Sequence, residues 1–188
     1  MQALRSPLTQ ANPRADQLYE PPPCSSPFST VANGQHHIWG GCGRGVRATT
    51  INSFDPLTEQ WTLKETLGPP HPGLYSGECA SIGSDMYMFG GHDGSSYNND
   101  LSILNIESLE WTKQCGNNST DVPMTKTACG LVAVDEATLC CFGGCGVGLK
   151  QPGSTFTKDS RYSDGFGWTN ECHLFNTREG MMDNTICY

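Results

Sequence analysis

The chain has 188 residues, with 19 Asp and Glu against 11 Lys and Arg and a net charge of −8. That balance argues against a face that grips a phosphate backbone, so no nucleic-acid partner is expected. Charged residues make up only 16% while glycine (22) and proline (12) are abundant, the profile of short strands joined by tight turns rather than of long amphipathic helices.

Residues 1 to about 24 contain Pro7, Pro13 and Pro21-Pro22-Pro23 with no periodic apolar pattern. Sequence of this kind does not pair in a sheet and reads as a flexible lead-in. Met1 to Arg14 has no apolar core of the signal-peptide kind, and no segment reaches the apolar length of a membrane span. The expectation is a cytoplasmic or nuclear setting without a membrane partner, with the 10 cysteines held as thiols. The competing reading is a secreted, disulfide-bonded chain, the one setting in which the overlapping sequons of Asn117-Asn118-Ser119-Thr120 would matter.

A first unit runs from about residue 25 to 67. Its strands are expected at Phe28 to Ala32, His36 to Gly40, Thr49 to Phe54 and from Gln60-Trp61, with turns at Asn33-Gly34 and Asp55-Pro56. A second unit, about 74–118, repeats it: Gly77 to Ile82, Met86 to Gly90, Asp100 to Asn105, and Glu110-Trp111-Thr112. A third, about 127–188, has Thr127 to Val134, Thr138 to Gly143 and Glu171 to Asn176. Gly40-Gly41, Gly90-Gly91 and Gly143-Gly144 each follow an apolar run ending in an aromatic. Trp61 stands 20 residues after Gly41, and Trp111 stands 20 after Gly91. A fixed period near 50 residues marks one supersecondary unit in tandem, which stacks on its copies to bury its apolar faces.

The third unit departs from the pattern twice. Gly144 to Phe175 spans 31 positions where Gly41 to Phe54 and Gly91 to Leu104 each span 13, an insertion of 18 residues. The tryptophan position then falls at Met182. The inserted loop, Cys145 to Trp168, carries Lys150, Lys158 and Arg161 among Phe156, Tyr162, Phe166 and Trp168. Aromatic and basic side chains of this kind anchor interfaces; the bland alternative is a solvated loop.

Four strands per unit, aromatic-Gly-Gly closing the second strand and Trp opening the fourth resemble the kelch repeat. The resemblance implies an all-β fold, a partial kelch β-propeller of about three four-stranded antiparallel blades. Ser76 to Ala80 ahead of Met86 to His92, and the insertion closed by Gly167 to Phe175, resemble the kelch domain-containing protein 2 group. That resemblance implies a protein-interaction module that captures the C-terminal tails of target proteins, a substrate receptor with cullin-RING ubiquitin ligase subunits as partners. The alternatives are a general scaffold or cytoskeletal or signalling adaptor, and a metal-dependent kelch-type enzyme. The double glycines and the two tryptophans read as packing residues, with Trp61 and Trp111 filling the space between blades.

The same resemblance places the residue after each double glycine on a ligand-facing rim. Those residues are Cys42, His92 and Cys145, with Arg44 beside Cys42. Cys, His and Cys at equivalent places raise the question of a metal, but zinc needs ligands within about 2.3 Å of one ion and equivalent positions on successive blades lie farther apart. No metal and no cofactor are expected. His36, His37, His71, His92 and His173 fall at unrelated blade positions and no Ser/His/Asp pattern appears, so no catalytic residues and no enzyme activity are expected. The resembled group has six blades where this chain codes for three. An open propeller exposes two strand edges, which predicts self-association, with two copies closing one ring.

Overall fold

The computed structural model describes residues 18–46, 49–68, 74–114, 123–147, 155–161, 165–178 and 181–183. Within them the chain is built of strands, and no helix occurs. Blade 1 is the antiparallel sheet β1 (Phe28–Ala32), β2 (Gln35–Trp39), β3 (Thr50–Asp55) and β4 (Gln60–Glu65), paired in that order. Asn33 and Gly34 both take positive φ, 50° and 73°, the two-residue turn whose twist matches the flanking strands. Blade 2 repeats the order with β5 (Glu78–Ile82), β6 (Asp85–Phe89), β7 (Leu101–Asn105) and β8 (Trp111–Gln114). All-β architecture in four-stranded blades is therefore the observed fold.

The third repeat departs from the expected layout. The single first strand expected from Thr127 to Val134 is broken at Ala128 (φ 52°) into β9 (Thr125–Thr127) and β10 (Gly130–Ala133). β11 (Thr138–Phe142), β12 (Cys145–Val147), β13 (Phe156–Lys158), β14 (Gly167–Thr169), β15 (Cys172–Asn176) and β16 (Met181–Asp183) follow. Blade 3 is β10-β11-β15-β16, and a fourth sheet forms in the order β13-β14-β12-β9. The insertion is thus a strand-forming element and not a plain loop.

The cause lies in the other blades. There an isolated antiparallel bridge already joins Ser25 to Cys42 and Tyr75 to His92. Thr127 pairs Cys145 at the same repeat position. Blade 2 adds a bridge from His92 to Tyr97, and blade 3 matches it with Cys145 against Trp168. The insertion lengthens these single bridges into a sheet.

Register confirms the repeat. Phe54 faces Trp61, Leu104 faces Trp111, and Phe175 faces Met182. Two apolar seams hold the blades. Phe28, Trp39 and Ile51 of blade 1 pack with Met86, Met88 and Leu104 of blade 2, and Trp111 packs against this cluster. Tyr87, Phe89 and Leu101 of blade 2 pack with Leu131, Leu139, Cys141 and Phe175 of blade 3. The alternation of side chains along each strand gives one face of blade 2 to each neighbour.

Trp111 sits in the first seam, edge-on to Trp39 at 5.1 Å. Trp61, its equivalent, does not lie between two of the described blades. It stacks on Phe54 at 5.1 Å and on His36 at 6.4 Å, on the face of blade 1 turned away from blade 2. The pleat dictates this: the tryptophan face looks toward the preceding blade, and among the described residues no blade lies on that side of blade 1.

The double glycines tie the seams. Gly41 N donates to Leu74 O at 2.9 Å, and Gly91 N donates to Lys126 O at 3.0 Å. Gly40 and Gly90 hold φ of 65° and 71°, a region that L side chains rarely enter. A Cβ on Gly40 would stand 2.5 Å from Leu74 O, and one on Gly90 would overlap Lys126 O. A second tie runs from Ser76 N to Ser26 O and from Ala128 N to Ser76 O. In the lead-in, the Tyr19 hydroxyl donates to Asn52 Oδ1 at 2.5 Å.

Candidate functional site

The loops that follow the double glycines meet on one side of the second and third repeats. His92 is their centre. Gly94 N–H donates to His92 Nδ1 at 3.0 Å, so this nitrogen is an acceptor and the ring proton sits on Nε2. The Tyr75 hydroxyl donates to the same Nδ1 at 2.9 Å. The His92 ring lies edge-on to Tyr75 at 5.5 Å and packs against Tyr97 at 4.6 Å. Tyr97 in turn packs against Phe166 of the insertion at 5.5 Å. Tyr75, His92, Tyr97 and Phe166 make a continuous, half-buried aromatic row that crosses from blade 2 to the fourth sheet.

The loop beneath the row is held by its own backbone. Asp93 Oδ1 accepts from Ser95 N and Ser96 N at 2.8 and 2.7 Å. The amides of Ser96 and Ser95 hold the Asp93 carboxyl below the usual carboxylate range. Asn98 N donates to Gly91 O at 2.9 Å, and Lys126 N donates to Asn98 O at 3.1 Å. The aromatic rings are thus displayed on a fixed frame, which lowers the ordering cost of a bound partner.

Behind the row lies a buried ionic group. Lys126 and Glu171 are 0% exposed, with Nζ 3.1 Å from Glu171 Oε2. His173 Nε2 donates to the same carboxylate oxygen at 3.2 Å. Lys126 occupies the repeat position of Leu74, which is buried in the first seam. A lysine there is tolerable only with its charge matched, and Glu171 supplies the match. This group locks the start of β15 to the chain entering blade 3 and offers no open charge to a ligand. On blade 1, His37 is buried as a packed residue, with Ser53 Oγ at 2.8 Å and Ala32 O at 3.2 Å; burial lowers its pKa.

The other expected rim residues fall on the same loops but not in one cluster. Cys42 is exposed and exchanges backbone hydrogen bonds with Ser25 at 2.9 Å each way; Arg44 is exposed two residues on. Cys145 is half-buried, its Sγ 3.7 Å from Thr127 O. Trp168 is 45% exposed on β14, and Lys158 is exposed on β13. Arg161 is not a free cation. Its guanidinium grips Asp159 through Nε at 2.9 and 3.1 Å and Nη2 at 2.6 Å, which holds that carboxyl below its usual range. Lys150 and Tyr162 lie outside the described residues. Among the described residues no three His, Cys, Asp or Glu side chains gather as a metal-binding set.

Sequence reasoning missed Tyr75, Tyr97, Lys126 and Glu171. A signal for Tyr97 was present: it and Trp168 each stand four residues before the third strand of their blade, so the position is aromatic twice. It also missed Glu78, which lines a shallow hollow with Ser26, Ser76, Cys79 and Ala128; burial raises its pKa.

A family model described as the KLHDC2/KLHL20/DRC7 Kelch-repeats domain matches residues 9–182. The zebrafish (Danio rerio) Rab9 effector protein with kelch motifs is 30% identical over 84 residues, covering 43% of this chain and 24% of that protein. The Rho GTPase-activating protein gacHH of Dictyostelium discoideum is 36% identical over 102 residues, 53% of this chain and 6% of that protein. Mouse (Mus musculus) Kelch domain-containing protein 1 is 31% identical over 96 residues, 50% and 23% respectively. The chain spans a quarter or less of the length of these relatives.

Proposed function

Because the chain belongs to the kelch-repeat family of the KLHDC2/KLHL20/DRC7 type, we propose that it is a protein-interaction module whose ligand face is the aromatic row Tyr75–His92–Tyr97–Phe166. The observation that carries this is the row itself: four rings in ring-to-ring contact across two repeats, on a loop fixed by backbone hydrogen bonds. Rigid aromatic groups of this kind supply contact area at low entropic cost. Exposed Trp168 and Lys158 flank Phe166 on the fourth sheet and extend the surface.

The finer reading is a receptor that takes the C-terminal tail of a target protein for ubiquitin ligation. It rests on the family match and on the resemblance of the second repeat. The test is a display library of peptides with free carboxyl ends, followed by fluorescence anisotropy on the enriched sequences. Binding should fall at least tenfold, about 1.4 kcal/mol, in His92→Ala and in Phe166→Ala, and should fall similarly when the peptide end is amidated. Equal binding by both variants would remove the aromatic row from the function. Co-purification of cullin-RING subunits from cells tests the ligase role, and their consistent absence would leave the scaffold reading. That second reading is favoured by two relatives named for Rab9 and Rho GTPases, which points to signalling assemblies.

A further inference from the structure

We propose that Cys140 and Cys172 form a redox site, a pair of thiols on neighbouring strands that peroxide joins into a reversible disulfide. The first observation is the distance. Cys140 Sγ stands 3.6 Å from Cys172 Sγ, thiol against thiol. The bonded separation is about 2.05 Å, and side-chain rotation spans a gap of this size. The second observation is the register. β11 and β15 pair Cys140 with Leu174 and Phe142 with Cys172. The two cysteines therefore stand diagonally on one face of one sheet, where side chains reach each other. Strand pairing already fixes both backbones, so the bond requires nothing from a neighbouring blade.

The adjacent cysteine sharpens the assignment. Cys140 and Cys141 are consecutive on β11, so the pleat turns them to opposite faces. Cys141 lies in the second seam with Cys129, and the two are 0% and 3% exposed. The Cys129 thiol and burial hold the Cys141 proton on well above the usual thiol range, which leaves Cys141 a poor nucleophile. Cys140 is half-buried, while Cys172 is buried. Cys140 is thus the thiol that a small oxidant meets first, and Cys172 is the resolving partner.

The chemistry balances. Cys140 Sγ attacks one oxygen of hydrogen peroxide, the O–O bond breaks, and a sulfenic acid forms as the thiol proton leaves with the other oxygen as water. Cys172 Sγ then attacks the sulfenic sulfur. The S–S bond forms, the S–O bond breaks, and the hydroxyl leaves with the Cys172 proton as a second water. The two thiols lose two electrons and one peroxide becomes two waters. A small thiol such as glutathione reverses the reaction by exchange. The bond closes a covalent loop between positions 32 apart. That loop holds β12, β13 and β14, and with them Phe166 of the aromatic row. Closing it removes freedom from the unfolded chain and pins the two ends of the insertion together.

Disulfide mapping on the 188-residue chain tests the proposal. Trypsin leaves Cys172 as the sole cysteine of residues 162–178 and puts Cys129, Cys140, Cys141 and Cys145 together on 127–150. After hydrogen peroxide and alkylation, mass spectrometry should find these two peptides joined, with fragmentation placing the bond on Cys140. This map needs no variant to fold. The link should vanish in Cys140→Ala and in Cys172→Ala. The urea midpoint of the wild type should rise on oxidation and return with dithiothreitol, while the midpoints of both variants stay still. Cys42→Ser, at an exposed thiol outside the pair, should behave as the wild type. Full alkylation of Cys140 and Cys172 after peroxide would overturn the proposal. So would a bond from Cys172 to any other cysteine, a Cys129–Cys141 bond in place of the link, or an equal rise in midpoint in Cys140→Ala.

Discussion

Residue chemistry at the double glycines sets the geometry of every seam. Gly90 combines a left-handed φ of 71° with direct approach to the Lys126 carbonyl. Gly34 has almost the same φ, 73°, but a Cβ there would meet nothing within 4 Å. The pair separates strain from collision. Gly34→Ala should cost about 1 kcal/mol, the price of left-handed backbone alone. Gly90→Ala should cost about 3 kcal/mol, because the blade 3 entry must also move. Urea unfolding midpoints of the two variants check the difference, and equal losses would mean that the close approach to Lys126 is without consequence. The glycines were legible in the sequence because their spacing is regular. Their partners were not, since Leu74 and Lys126 accept through backbone oxygens that any residue would offer.

At the scale of the element, the repeat was legible where strands are long and alternate. Leu101, Ile103 and Asn105 against Ser102 and Leu104 mark β7 without ambiguity. The fourth sheet was not legible, because its strands are three residues each and too short to show a period. Lys126 was also unreadable: a lysine four residues ahead of a strand looks like a surface residue until Glu171, 45 positions away, is brought beside it. Lys126→Met should therefore cost about 4 kcal/mol, because it strands the Glu171 carboxylate in the seam. Lys126→Met with Glu171→Gln should restore at least half of that loss, since the uncompensated charge is gone. Denaturant titration of the single and double variants measures this. A double variant no better than the single would show that the cost is one of packing and not of charge.

For the molecule as a whole, each blade spends one face on each neighbour, so stability is assembled seam by seam as in other stacked repeats. Four-stranded antiparallel blades were expected from the sequence, and the family match over residues 9–182 agrees with a kelch-type fold. The aromatic row depended on something the sequence did not display, namely which loop lies over which. Its four rings come from three separate stretches of chain, since only His92 and Tyr97 share a loop, and stacking of blade 2 against blade 3 brings Phe166 to Tyr97.

The tie from each double glycine to the following blade gives every seam its own clock. An amide held in a seam exchanges its proton for deuterium only when that seam opens, so Gly41 and Gly91 report on the first and second seams separately. Gly144 N is the same amide at the blade 3 end, with no acceptor among the described residues. Its exchange should be fast, while Gly41 and Gly91 stay protected. One glycine then gives the rate of an amide outside any seam, and two others time the breathing of the seams themselves.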